Sequence, residues 1–189
     1  MAASPFEEPP LDCPRCARLV AFRHELRAKH PDWGNAPVRS FGGIDAGLLI
    51  VGLAPGMKGA NRTGRPFTGD YAGDLLYATL LKFGFARGTY RAEPNDGLQL
   101  VDCRIANAVR CLPPENKPLP DEFTQCRPFL QAELAVMPQV KVILALGKGA
   151  TRCSRHWACA PSSRATMKNY VRSPCQNCGS ASVSMVAKL

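Results

Sequence analysis

The chain has 189 residues and a formal net charge of +9, a length that suits one domain with its own core. No stretch reaches the roughly 18 apolar residues of a membrane span, and the opening MAASPFEEPP lacks the basic start and apolar run of a leader, so a soluble cytoplasmic protein without membrane contact is expected. The positive balance favours a polyanionic partner, because a basic face gathers phosphates and releases their counterions.

In chain order, the first unit with chemistry is Cys13-Pro-Arg-Cys16, a spacing that lets two thiolates share one metal while turning amides support the sulfurs. Nine cysteines in a cytosolic chain read as reduced thiols, and clustered ones as metal ligands, rather than as disulfides. Residues 18–29 read as a helix stopped at His30-Pro31, since proline disfavours helix in the residue before it. Leu48 to Val51 is apolar throughout, as a strand covered on both faces is.

The next stretch, GLAPGMKGANRTGRPFTGD from Gly52 to Asp70, leaves that strand through five glycines that let backbone approach a ligand. Arg62 and Arg65 suit phosphates, and Phe67 offers a flat face for a base. Asp70 is placed to cap the following helix, which carries Leu75, Leu76 and Leu80 before Gly84. Capping and chemistry do not exclude each other.

A shorter strand is expected over Arg104 to Val109. It contains Asn107, whose amide needs partners if buried and could read a base edge at the strand's end. The residues alone leave both readings open. Cys111 and Cys126 follow, separated by a proline-rich segment, and Cys126 falls on the inward face of a helix from about Asp121 to Met137. Four converging sulfurs suit tetrahedral zinc or an iron–sulfur cluster; a rival set is Cys13, Cys16, Cys175 and Cys178, spaced as in a zinc ribbon. Cys103, Cys153 and Cys159 have no spacing argument. Val140 to Leu146 is a third apolar strand.

Alternating strands and helices predict an α/β fold, with a mostly parallel central sheet flanked by helices and ligands beyond the strands' carboxyl ends. The sheet is expected to be incomplete at the C-terminus, because composition breaks after Gly149. The first 149 residues hold 18 Lys and Arg and all 15 acids; the last 40 hold six Lys and Arg, no acid and seven of nine serines. Residues 1–149 are therefore expected to form the domain. Residues 150–189 read as a basic tail rich in Ser and Cys, without helix or strand.

Together these motifs resemble the iron–sulfur uracil-DNA glycosylases, specifically the type-5 branch. The resemblance covers about Cys13 to Gly147 and rests on the paired cysteines, the Gly52 to Asp70 loop, Asn107-Ala-Val-Arg-Cys111, Cys126 and the strand ending in Gly147-Lys148. Leu53 favours type 5, since type-4 relatives carry glutamate there. The resemblance implies a [4Fe–4S] cluster on Cys13, Cys16, Cys111 and Cys126, in a structural role. It also implies that Gly52, Leu53 and Ala54 line a base pocket, Phe67 stacks on the base, Asn107 hydrogen-bonds its edge, and Asp70 assists catalysis. Arg62 and Arg65 would hold DNA.

The implied protein is a monomeric DNA repair hydrolase that removes uracil and other deaminated bases, acting on the nucleoid if the source is bacterial. One departure remains. The family carries a His-Pro-Ser-like motif, with an active-site histidine and an intercalating loop, after the last strand; the tail's one histidine, His156, does not match it. A frameshift would produce such a tail, and a chain so altered is expected to bind its cluster and lack most activity. A different class also suits the residues, namely a non-catalytic, metal-stabilised nucleic-acid-binding protein.

Overall fold

A computed structural model describes residues 6–147, residue 150 and residues 185–187. The other tail residues named above, His156, Cys153, Cys159, Cys175 and Cys178 among them, lie outside the described residues. The elements, in order, are α1 (Ala17–Lys29), β1 (Phe41–Gly42), β2 (Leu48–Gly52), α2 (Ala60–Thr63), α3 (Tyr71–Lys82), β3 (Ala86–Arg87), β4 (Gln99–Leu100), β5 (Cys103–Asn107), α4 (Pro120–Ala135), β6 (Val142–Leu146) and β7 (Met185–Ala187). The main sheet runs β1-β5-β2-β6-β7, parallel except for β1, and β3 and β4 form a separate hairpin.

The apolar runs are continuous because both sheet faces are covered. Leu49, Val51, Ala106 and Ala108 point to one side and pack with Leu130, Leu134 and Met137 of α4 and the turn after it. Ile50, Cys103 and Ile105 point to the other and pack with Leu76, Tyr77 and Leu80 of α3. Side chains alternate across a strand, so Gly52 and Asn107, paired in register at the carboxyl ends of β2 and β5, both belong to the α3 side. That register sets the position of the site.

The strand β7 corrects the expectation that no helix or strand follows Thr151. Residues this few carry no periodicity of their own, and the strand exists by pairing with the parallel edge of β6. Among the described residues no helix is long and apolar enough to cross a membrane.

Candidate active site

A cleft of about 300 Å³ opens at the carboxyl ends of β2 and β5, lined by Leu53, Ala54, Phe67, Asp70 and Asn107, with Asn116 and Leu146 across from them. Such a volume falls at the lower end of small-molecule sites. Four of the residues expected to form a base pocket, Leu53, Ala54, Phe67 and Asn107, therefore converge with Asp70, the carboxylate expected to assist catalysis. Gly52 lies directly behind them: a Cβ there would overlap the Asn107 Oδ1 and stand 2.6 Å from the Phe67 Cζ. Only a residue without a side chain lets the amide and the ring meet over this backbone.

Asp70 is the N-cap of α3, where its Oδ1 accepts the Gly73 N–H at 2.8 Å. Its Oδ2 faces Gly56 and Gly59, whose missing side chains leave it room; a Cβ at Gly59 would be 2.8 Å away. One oxygen thus holds the helix while the other stays with the cleft. Asn107 is buried, and its amide makes no hydrogen bond to another described residue.

Phe67 sits at φ +53°, the left-handed region, a conformation costing a non-glycine residue on the order of 1 kcal/mol or more. The neighbours over-determine it. Gly73 makes room for the Phe67 carbonyl, which a Cβ there would overlap. The Tyr77 hydroxyl donates to the Pro66 carbonyl at 2.7 Å. The Arg65 guanidinium binds both oxygens of Asp96, at 2.8 and 2.7 Å, and its Nε donates to Thr68 Oγ1 at 2.8 Å.

Arg65 is therefore not the phosphate ligand that its sequence context suggested. It is buried among Phe41, Tyr77 and Tyr90, with a carboxylate already in its fork, and no DNA phosphate could reach it. Burial, the largest single influence, lowers its pKa, and the hydrogen bonds to Asp96 together with the charge interactions with Tyr77, Asp96 and Tyr90 more than offset that. The same bonds hold Asp96 well below the usual carboxylate range, against its own burial. Arg62 is exposed, its Nε donating to the Lys58 carbonyl at 3.0 Å.

Residues 39–178 match the family model described as the uracil DNA glycosylase superfamily. The chain belongs to that superfamily. Among curated members, it is 43% identical to the type-5 uracil-DNA glycosylase of Thermus thermophilus, over 72% of this chain and 64% of that protein. It is 45% identical to the type-5 enzyme of Mycobacterium leprae, over 71% and 62%, and 36% identical to the type-4 enzyme of Thermotoga maritima over 56% and 47%. The chain spans about three-fifths of the length of the type-5 relatives named here.

The four cysteines expected to act together also meet. Cys13, Cys16, Cys111 and Cys126 line one narrow cavity with Arg23, Arg110 and Phe129. Three segments are drawn together there. Arg18 clamps Glu122 with two bonds of 2.9 Å, joining α1 to α4, and Glu133 of α4 binds both Arg104, near the start of β5, and Arg110, beyond its end. The Arg110 N–H points at Cys126 Sγ, 3.2 Å away, and an Arg23 nitrogen lies 3.9 Å from Cys111 Sγ. Burial pushes the Cys111 thiol up to about 12 and the Cys126 thiol up to about 11, so thiolates here need added positive charge. Among the described residues no group of three or more His, Cys, Asp or Glu is arranged to hold a single metal ion.

Sequence reasoning missed Asn116 and Asp96. Asn116 reaches the cleft from a turn with φ +54°, and the only local signal is the turn composition of Pro113-Pro-Glu-Asn116. Asp96 reads as one more acid in a turn, and nothing nearby names its partner 31 residues away.

Proposed function

We propose that this chain hydrolyses the N-glycosidic bond of uracil, and of other deaminated bases, in DNA after the nucleotide has turned out of the duplex. The observation that carries the reading is the convergence of Asp70, Asn107 and Phe67 on one cleft in a member of this superfamily. Phe67 stacks on the base, the Asn107 amide hydrogen-bonds its edge, and the Gly52 to Ala54 backbone walls the pocket. The C1′–N1 bond breaks with its electron pair leaving on the base, and water oxygen bonds to C1′; the water's proton passes to the base or to solvent. Asp70 stabilises the cationic sugar or orients that water, while Asn107 stabilises the departing anion. Uracil opposite guanine leaves the stack most cheaply, which selects damage without reading sequence. Arg62 and cations of residues 150–189 contact phosphates, residues 1–149 carry the site, and the working form is a cytoplasmic monomer.

The four cysteines suit a [4Fe–4S] cluster better than zinc. A tetrahedral zinc, with sulfur at about 2.3 Å, needs its ligands roughly 3.8 Å apart, and these cysteines share a cavity without forming such a set. A cluster spreads its thiolates wider and supplies the missing positive charge. Its role here is structural: it ties the Cys13–Cys16 loop and Cys126 to Cys111, the residue that ends the segment begun by Asn107. Protein purified under argon is expected to be brown with broad visible absorption, and Cys126→Ser to lose that colour; a colourless protein carrying one zinc would reject the cluster.

The direct test is release of free uracil from a duplex holding one U·G pair, set against an undamaged duplex. Gly52→Ala is expected to lower that release about tenfold, because its methyl must displace the amide or the ring it separates. Wild-type activity in this variant would show that the cleft is not the base pocket. Binding of uracil DNA without release would support the second reading, a chain that binds but does not cleave. That reading draws on His156, the one histidine after residue 147, which stands in no His-Pro-Ser segment.

A further inference from the structure

A guanidinium taken out of water needs an anion beside it, and among the described residues four arginines are buried: Arg23, Arg65, Arg104 and Arg110. Three of them meet carboxylates, Arg65 with Asp96, and Arg104 and Arg110 with Glu133. Arg23 of α1, 5% exposed, makes no ion pair with any described residue. Its Nη2 donates to the Cys13 carbonyl at 3.1 Å, its Nη1 lies 3.9 Å from Cys111 Sγ, and its Nε is buried without a hydrogen-bond partner. Asp12 feels its charge from a distance, but is exposed and already bound by Arg27 at 2.5 Å. Arg23 thus brings an unpaired charge to the wall of the cavity that Cys13, Cys16, Cys111 and Cys126 share. The other cations on that wall are differently disposed. Arg110 gives its charge to Glu133, and Arg15 is exposed, donating to the Gln125 carbonyl at 3.4 Å.

We propose that Arg23 is the counter-charge of the centre held by the four cysteines: its guanidinium offsets the negative charge there and hydrogen-bonds the Cys111 sulfur, which retains the bound group and raises its reduction potential. A [4Fe–4S] core carries less positive charge than four thiolates carry negative, so the assembled centre is an anion. Leu19, Val20, Val109 and Phe129 make much of the remaining wall apolar, so the field of the guanidinium is little screened there. Burial pushes the Cys111 thiol up, and the Arg23 charge acts against that push, as a partner of the thiolate must. An added electron adds negative charge, which a neighbouring cation favours, so removing the cation lowers the potential. The inference rests on the cluster reading above and is independent of catalysis.

The test compares wild type, Arg23→Met, which keeps a long side chain and loses the charge, and Arg23→Lys, which keeps the charge, all purified under argon. Protein-film voltammetry reads the midpoint potential, and decay of the visible absorption under EDTA reads the loss of iron. Arg23→Met is expected to shift the potential to a more negative value and to lose iron about tenfold faster, the usual cost of removing a partner of a metal ligand. Arg23→Lys is expected to stay within about twofold of the wild-type rate and close to its potential, since the charge remains. A side chain that only filled space would leave the potential unmoved. Met and Lys variants that behave alike, both as wild type or both without a cluster, overturn the counter-charge. A brown wild type whose potential is unchanged in Arg23→Met overturns it alone, whereas a colourless wild type overturns the cluster reading and the inference with it.

Discussion

Asp70→Asn is expected to lower uracil release by about 10²- to 10⁴-fold while leaving thermal stability nearly unchanged, the range expected for one positioned carboxylate acting at the sugar. The substitution separates two roles held by one side chain. An amide oxygen can still accept the Gly73 N–H that Asp70 Oδ1 now takes at 2.8 Å, so the helix keeps its cap. The charge facing Gly56 and Gly59 is lost. Asp70→Ala removes the cap as well and is expected to cost a further 1 kcal/mol or so of stability. Single-turnover rates on a U·G duplex, read beside thermal unfolding, decide the matter. Unaltered turnover in the asparagine variant would leave Asp70 as a cap and nothing more.

Asp96→Ala is expected to destabilise the fold by about 3–5 kcal/mol, because it strands a buried guanidinium without its partner. In a chain of this size that is a fall in Tm of roughly 10 °C. Asp96 also accepts the Arg91 and Leu98 N–H groups at 2.9 and 3.0 Å, so its removal loosens the β3–β4 hairpin and the left-handed Phe67 turn together. Replacing both charges by apolar residues, as in Arg65→Met with Asp96→Leu, should recover much of the loss. Equal destabilisation in the single and double variants would mean that the pair matters for shape alone. The pH dependence has a definite sign. Arg65 holds the Asp96 carboxyl below its ordinary value, so the unfolded chain takes up the proton first. The contribution is full above about pH 4 and is lost as pH falls further.

The apolar strands, α1, α3 and α4 are legible because burial on both faces or on one stripe leaves a periodic trace in the residues themselves. Observed ends fall within two residues of the expected ones; β5, for instance, spans Cys103–Asn107 against an expected Arg104 to Val109. The short strands β1, β3, β4 and β7 left no such trace. Each is two or three residues long and exists because a partner edge lay beside it. The cleft was largely legible as well, since Phe67, Asp70 and Asn107 belong to motifs whose glycines and strand ends announce close approach.

The split between the two arginines was not legible. Arg62 and Arg65 sit three residues apart in one glycine-rich loop and look alike as cations, yet one is exposed and the other is buried. The difference lies in Asp96 and in the rings of Phe41, Tyr77 and Tyr90, which come from three distant segments.

The residue order by itself determined the layered α/β plan, the capping aspartate and the cysteines with metal-ligand spacing, because periodicity, caps and short-range ligand pairs are local properties of a chain. Only the tertiary structure decided which charges meet each other and which meet solvent. Desolvation depends on every neighbour at once, and no short stretch of sequence contains its own surroundings.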